Sequence, residues 1–275
     1  MRFTARSANE DEAEMKSGNK ATPEVVIVAS AFGMDAVRRE GHRAWLAIAA
    51  NAGAAGFEVR RELFSSEAQA STEALNELGQ AIAHADMWPV YSTPDALYCP
   101  DGTLDSSALE RALREATALG ARFVKLQLGG FIEHAAAAQI ADRLRGATVR
   151  LVVENGQLKE GGSLAQFVAL FEALAREGHE RLLGMTFDMG NWRWPGEVPL
   201  DAAPLLARYV EYIHCKAVVG EGMRLFAVAP EPDDAQCAAL FALLPGDVPR
   251  GIEFPFEASR LADDAARYVA WLATR

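Results

Sequence analysis

The sequence predicts an α/β protein, a closed (β/α)8 TIM barrel in which eight parallel strands alternate with eight helices. Three observations carry this. From Pro23 onward, short β-branched runs alternate with longer stretches rich in Ala, Leu, Glu and Arg. The strand starts recur about every 32 residues, the length of one βα unit. Eight such units occupy roughly 250 residues, which is what closing a barrel requires. The competing architecture is an open doubly wound sheet, which usually carries a glycine-rich phosphate loop after its first strand. Here that place reads VASAFGMD, with no GxGxxG.

The first strand is expected at 25–29, where VVIVA supplies four β-branched residues in a row. Further strands are expected at 57–63, 88–92, 123–128, 149–154, 185–188, 210–214 and 251–254. Between them the apolar spacing turns helical. A helix is expected at 43–52, ended by Gly53. At 71–85, Ser71 is a candidate N-cap, and Ala74, Leu75, Leu78 and Ile82 fall on one face. The stretch 106–119 stops at Gly120, and 135–144, 163–177, 199–209, 234–244 and 258–273 complete the set.

Composition removes several function classes. Of 275 residues, 27 are Lys or Arg and 38 are Asp or Glu, a net charge of −11. That balance argues against a surface that neutralises many phosphates, so no nucleic-acid partner is expected. Cys99, Cys215 and Cys237 are odd in number and widely spaced, which indicates neither a disulfide framework nor a cysteine zinc site. A reducing cytoplasm fits best. No apolar run approaches the ~20 residues needed to span a bilayer, so no membrane association is expected. Residues 1–22 are polar, mixed in charge and poor in aromatics; they read as a disordered tail ahead of a barrel at 23–275, with Met15 an alternative start.

Catalytic residues of such barrels sit at the C-terminal ends of strands. Strand five, VRLVVENGQ, ends in Glu154; strand six, GMTFDMGNW, in Asp188; strand seven, VEYIHCKAV, in His214; strand eight, GIEFPFE, in Glu253. Each follows an apolar run, where an isolated charge would cost several kcal/mol unless paired or metal-bound. Three carboxylates brought together repel one another, and a divalent cation removes that repulsion. The donor set suits Mn2+ or Mg2+, with Co2+ or Zn2+ as alternatives. The competing reading is a purely structural charge cluster.

The segments VVENGQ, FDMGNW, YIHCKA and GIEFP resemble signatures of the xylose isomerase-like TIM barrels, the sugar phosphate isomerase/epimerase superfamily. The resemblance covers residues 24 to about 275 and is strongest from Glu154 to Pro255. It implies one divalent metal ion bound by Glu154, Asp188, His214 and Glu253. It also implies that Glu154 and Glu253 act as acid and base on opposite faces of the substrate, as in the family's sugar epimerases. Two positions depart from the pattern. Asn191 stands where many of these epimerases carry a His, and Gly220 where they carry an Arg; both family residues touch substrate. The metal site therefore carries over better than any named substrate.

Other residues have two readings each. In GFEVRREL, alternation puts Glu58, Arg60 and Glu62 on one face; Arg60 either meets a substrate carboxylate or hydroxyl or belongs to an internal ion-pair ladder. Lys125 and Gln127 alternate in FVKLQL and either bind a polyol or pair with Glu58 or Glu154. Lys216 shares the face of His214 and either stabilises a substrate oxyanion or binds a carboxylate, or it pairs with Asp188. Trp192 and Trp194, in NWRWPGE, either wall the pocket or plug the barrel mouth. His42, His84, His134 and His179 read as solvated or capping.

The leading functional reading is a divalent-metal-dependent isomerase or epimerase acting on a small sugar, sugar acid or derivative through an enediolate. The alternatives are a metal-dependent dehydratase of a polyol ketone or dehydroshikimate type on the same barrel, and a sugar-binding barrel without catalysis. Barrels of this kind often pair, so a homodimer is an expected partner state.

Overall fold

The computed structural model describes residues 22–222 and 224–275. The tail expected at 1–22 lies outside them, Thr22 excepted. The first strand, β1 (Val25–Val28), is four β-branched residues, all buried. It is followed by β2 (Gly56–Arg60), β3 (Trp88–Tyr98), β4 (Phe123–Gly129), β5 (Arg150–Glu154), β6 (Gly184–Asp188), β7 (Val210–Cys215), β8 (Ala217–Glu221), β9 (Arg224–Val228) and β10 (Arg250–Ile252). The α-helices are α1 (Met34–Glu40), α2 (Leu46–Asn51), α3 (Thr72–His84), α4 (Ser106–Leu119), α5 (Ala137–Leu144), α6 (Leu164–Arg176), α7 (Pro199–Leu206), α8 (Ala235–Leu243) and α9 (Leu261–Leu272). Eight strands close into a barrel in the order β1-β10-β7-β6-β5-β4-β3-β2. Helical crossovers make consecutive barrel strands parallel. This is the expected (β/α)8 TIM barrel.

Local sequence explains where the helices begin and stop. The Asp105 side chain caps α4 by accepting from the Ala108 N–H at 2.9 Å, and Gly120 ends the helix in the left-handed region at φ 69°. Ser71, Ser163 and Asp234 cap α3, α6 and α8 in the same way. On α4 the buried residues Ala108, Leu109, Ala112, Leu113, Ala116 and Leu119 recur at helical spacing and face the sheet.

Strand alternation divides the apolar residues into two sets. Val124, Leu126, Val153, Phe187 and Ile213 point outward and join the helices in the main core. Val26, Val90, Phe123, Val152 and Tyr212 point inward and form a small separate cluster in the lumen. Phe123 stacks on Tyr212 there at 6.0 Å. Each inward column then turns polar toward its C-terminal end: Phe123, Lys125, Gln127 on β4; Val152, Glu154 on β5; Tyr212, His214, Lys216 from β7 onward. The site therefore rests on an apolar floor. Gly251 makes room for it, since a Cβ there would collide with the Tyr212 hydroxyl and the His214 ring.

Several elements differ from expectation. β2 stops at Arg60, and Arg61–Leu63 forms a 3-10 turn, so Glu62 leaves the strand's alternation. β3 continues through Pro94 to Tyr98, with its register shifting between Ser92 and Ala96; a proline is tolerated at such an irregularity. The helix α1 and the antiparallel hairpin β8–β9 are additional. His42 is not solvated: it is buried, and its Nε2 accepts the Arg60 N–H at 3.1 Å. Among the described residues no helix is long and apolar enough to cross a membrane.

Candidate active site

Glu154, Asp188, His214 and Glu253 meet at the C-terminal mouth of the barrel, on β5, β6, β7 and just past β10. One donor atom from each lies within 4.8 Å of all the others. His214 Nδ1 is 2.8 Å from Glu154 Oε1, 3.2 Å from Glu253 Oε2 and 3.7 Å from Asp188 Oδ2. The first three residues are buried, and the Glu253 side chain is 11% exposed. A donor set of three carboxylates and one imidazole, converging on a single point, fits a divalent cation.

Backbone and side-chain contacts aim these groups. Asp188 Oδ1 accepts the N–H groups of Gly190 at 2.9 Å and Asn191 at 2.8 Å. That leaves the buried Oδ2 facing the Lys216 ammonium at 2.7 Å and His214 Nδ1 at 3.7 Å. Asn155 pins the ends of β5 and β6 together: its Nδ2 donates to Asp188 O at 3.0 Å and its Oδ1 accepts the Asp188 N–H at 2.8 Å.

Cations surround the carboxylates. Lys216 Nζ also lies 2.6 Å from Glu253 Oε2. Arg60 Nη1 meets Glu253 Oε1 at 2.6 Å, and its guanidinium also pairs with Glu62. Lys125 Nζ bridges Glu58 Oε1 at 3.0 Å and Glu154 Oε1 at 2.9 Å, while Gln127 Nε2 donates to Glu154 Oε2 at 3.1 Å. These contacts set the protonation states. Burial opposes ionisation of Glu154, yet Lys125 and then His214 outweigh it and hold the carboxyl down at about 2. Burial is likewise overcome at Glu253 by Lys216 and His214, which keep it well below the carboxylate range. At Asp188 burial prevails over Lys216, and the carboxyl is raised. Burial disfavours a charged Lys216, but Asp188 and Glu253 hold its ammonium above the ordinary lysine range.

Lys216, Lys125, Gln127 and Arg60, singled out in sequence, all reach this cluster. Two other candidates are placed differently. Trp192 is fully buried and packs on Phe187 at 5.4 Å and Phe167 at 5.9 Å, outside the barrel against α6, so it has no face for substrate. The neighbouring Trp194 is the one near the site, its ring centroid 6.0 Å from Lys216 Nζ. Asn191 is buried, and its amide ties two loops: Nδ2 donates to Asn155 O at 2.8 Å and Oδ1 accepts from Gln157 at 3.2 Å. Of the ladder reading of Glu58, Arg60 and Glu62, the structure holds the Arg60–Glu62 pair, while Glu58 pairs across the lumen with Lys125, Tyr212 and His214. Glu58, Tyr212 and Asn155 are thus residues that sequence reasoning left out of the site. Tyr212 stands two residues before His214, so the period of two that pairs His214 with Lys216 is the signal that could have found it.

No protein-family model matches the sequence, and no curated protein matches it. Solved structures do match in shape. A xylose isomerase domain containing protein from Salmonella typhimurium LT2 is 13% identical, with a TM-score of 0.65 over 93% of this chain and 99% of that one. IolI protein with a bound zinc atom is 13% identical, with a TM-score of 0.64 over 90% and 97%. L-ribulose 3-epimerase is 18% identical, with a TM-score of 0.64 over 92% and 95%. At these identities the likeness is one of fold: the chain is a (β/α)8 TIM barrel, similar in shape to these three proteins.

Proposed function

We propose that this barrel is a metal-dependent isomerase or epimerase of a sugar or sugar derivative. The observation that carries the reading is the convergence of Glu154, Asp188, His214 and Glu253 within 4.8 Å at the strand ends, where barrels of this class place their chemistry. The buried Asp188 Oδ2, turned toward His214 Nδ1 at that point, supports a cation there. Mn2+ or Mg2+ suits the oxygen-rich set best, with Co2+ and Zn2+ as alternatives. A bound divalent cation supplies Lewis acidity, polarising a carbonyl and its neighbouring hydroxyl so that the C–H between them becomes acidic.

The protein's own groups then move the proton. Glu154 and Glu253 stand on strands separated by β6 and β7, so they approach a bound carbon from different sides. Both are held ionised, as a base must be, by Lys125 and Lys216 respectively. Gln127 and Lys125 fix the orientation of Glu154; Arg60 and Lys216 fix that of Glu253. Lys216 and Trp194 line the approach, offering an ammonium and a ring to a polyhydroxylated substrate. The position of Lys216, 2.6 Å from Glu253, also favours a second reading, a dehydratase in which its ammonium protonates a departing β-hydroxyl.

The test is hydrogen exchange in heavy water over a panel of ketoses and polyol ketones. Glu154→Gln and Glu253→Gln, each with metal retained, should lose exchange by about 10²-fold or more, a typical worth of acid–base catalysis. Near wild-type exchange in both would overturn the assignment and make Lys216 the base. Release of water from the substrate would identify the dehydratase.

A further inference from the structure

Glu58 is a carboxylate of the inner cluster to which the reading above gives no role. It is fully buried on β2, inside the barrel. Its Oε2 accepts from Tyr212 Oη at 2.9 Å and lies 2.8 Å from His214 Nε2. Its Oε1 lies 3.0 Å from Lys125 Nζ, whose other partner is Glu154 Oε1.

A carboxylate held by an ammonium and a phenol can only accept at the imidazole edge it faces. Nε2 therefore carries a proton, which leaves Nδ1 as the nitrogen that gives up its proton and presents its lone pair when a cation binds. Nδ1 is the nitrogen that faces Glu154, Glu253 and Asp188. The same carboxylate reaches a second member of the donor set through Lys125. One buried group thus governs both the tautomer of His214 and the spacing between His214 and Glu154. Tyr212 holds Glu58 in turn, in a space that exists because residue 251 is a glycine.

We propose that Glu58 is a positioning residue for the metal site: it locks His214 as the Nε2–H tautomer and, through Lys125, ties Glu154 to it. This rests on the metal reading above. Partners of this kind on metal-binding histidines are worth about 10- to 100-fold in metal affinity.

Two measurements test it. Calorimetric titration of the apoprotein with Mn2+ should show Glu58→Leu weakened about 10- to 100-fold, and Glu58→Gln, which keeps an acceptor oxygen, restored to within a few-fold of wild type. A merely structural role would lower the thermal midpoint of Glu58→Leu while leaving the affinity of its folded fraction unchanged. Nitrogen-15 NMR of the wild-type protein loaded with Zn2+ should show His214 protonated at Nε2, and this needs no variant to fold. Mn2+ affinity of folded Glu58→Leu within about twofold of wild type, or an Nδ1–H tautomer, overturns the proposal. A wild-type protein that takes up no divalent cation overturns the metal reading itself, and Glu58 then has no metal site to position.

Discussion

Arg60 and Glu253, 193 residues apart in sequence, form an ion pair at the barrel mouth with Nη1 and Oε1 separated by 2.6 Å. β2 and β10 both neighbour β1, so the pair spans one strand. Lys216 holds the other oxygen of the same carboxylate. In Arg60→Leu, Glu253 keeps one cation and loses its fixed orientation. Turnover should fall by about 10²-fold, the cost of a misplaced reacting group, while bound metal stays near the wild-type level. Unchanged turnover would show that Lys216 alone aims Glu253.

Asp188→Asn and His214→Ala should each remove most of the bound divalent metal, because each supplies one of only four converging donors. Elemental analysis of purified variants reads this directly. Undiminished metal in both would place the ion elsewhere.

Trp192 and Trp194 should separate packing from substrate contact. Trp192→Ala deletes a fully buried ring between Phe167 and Phe187, and should cost about 3–5 kcal/mol of stability. Trp194→Ala should leave stability nearly unchanged and raise KM, since its ring stands over Lys216. Denaturation midpoints and steady-state kinetics decide between the two. The opposite pattern would return Trp192 to the pocket wall.

His42 sets an acid limit on stability. Burial is the chief cause that pulls its pKa from 6.5 down to about 4. The unfolded chain therefore binds a proton that the folded chain refuses between those values. Stability from this group is complete above pH 6.5 and declines as pH falls toward 4, by about 3 kcal/mol in all. His42→Gln offers the Arg60 N–H an oxygen without titrating, so its stability curve should be flatter across that window. Parallel curves for variant and wild type would show that His42 does not carry this dependence.

The barrel was legible because alternation and spacing are properties of every strand. The same period of two put Glu58 with Arg60, Lys125 with Gln127 and His214 with Lys216. It could not show which groups face each other across the lumen, because that depends on barrel closure. For this reason Glu58 reads as part of a local ladder while its partners lie on β4 and β7. Trp192 sits in the 3-10 turn Asn191–Arg193, where no strand period tells inside from outside. The hairpin β8–β9 escaped notice because Gly220 and Gly222 interrupt a short run that otherwise alternates. The helix α1 is seven residues long and buries Val37 alone, so it carries no helical apolar period.

The unequal exposure of the two glutamates has an isotopic consequence. Glu253 is 11% exposed and flanked by Arg60, which itself reaches solvent; Glu154 is 4% exposed and enclosed by Lys125, Gln127 and His214. In the proposed reaction, deuterium taken up by Glu253 should therefore exchange with bulk water faster than label taken up by Glu154. Tracer removed on the Glu154 side should be returned to the same substrate molecule more often than tracer removed on the Glu253 side. The direction in which a labelled substrate loses its isotope therefore reports which face of the carbon each strand addresses.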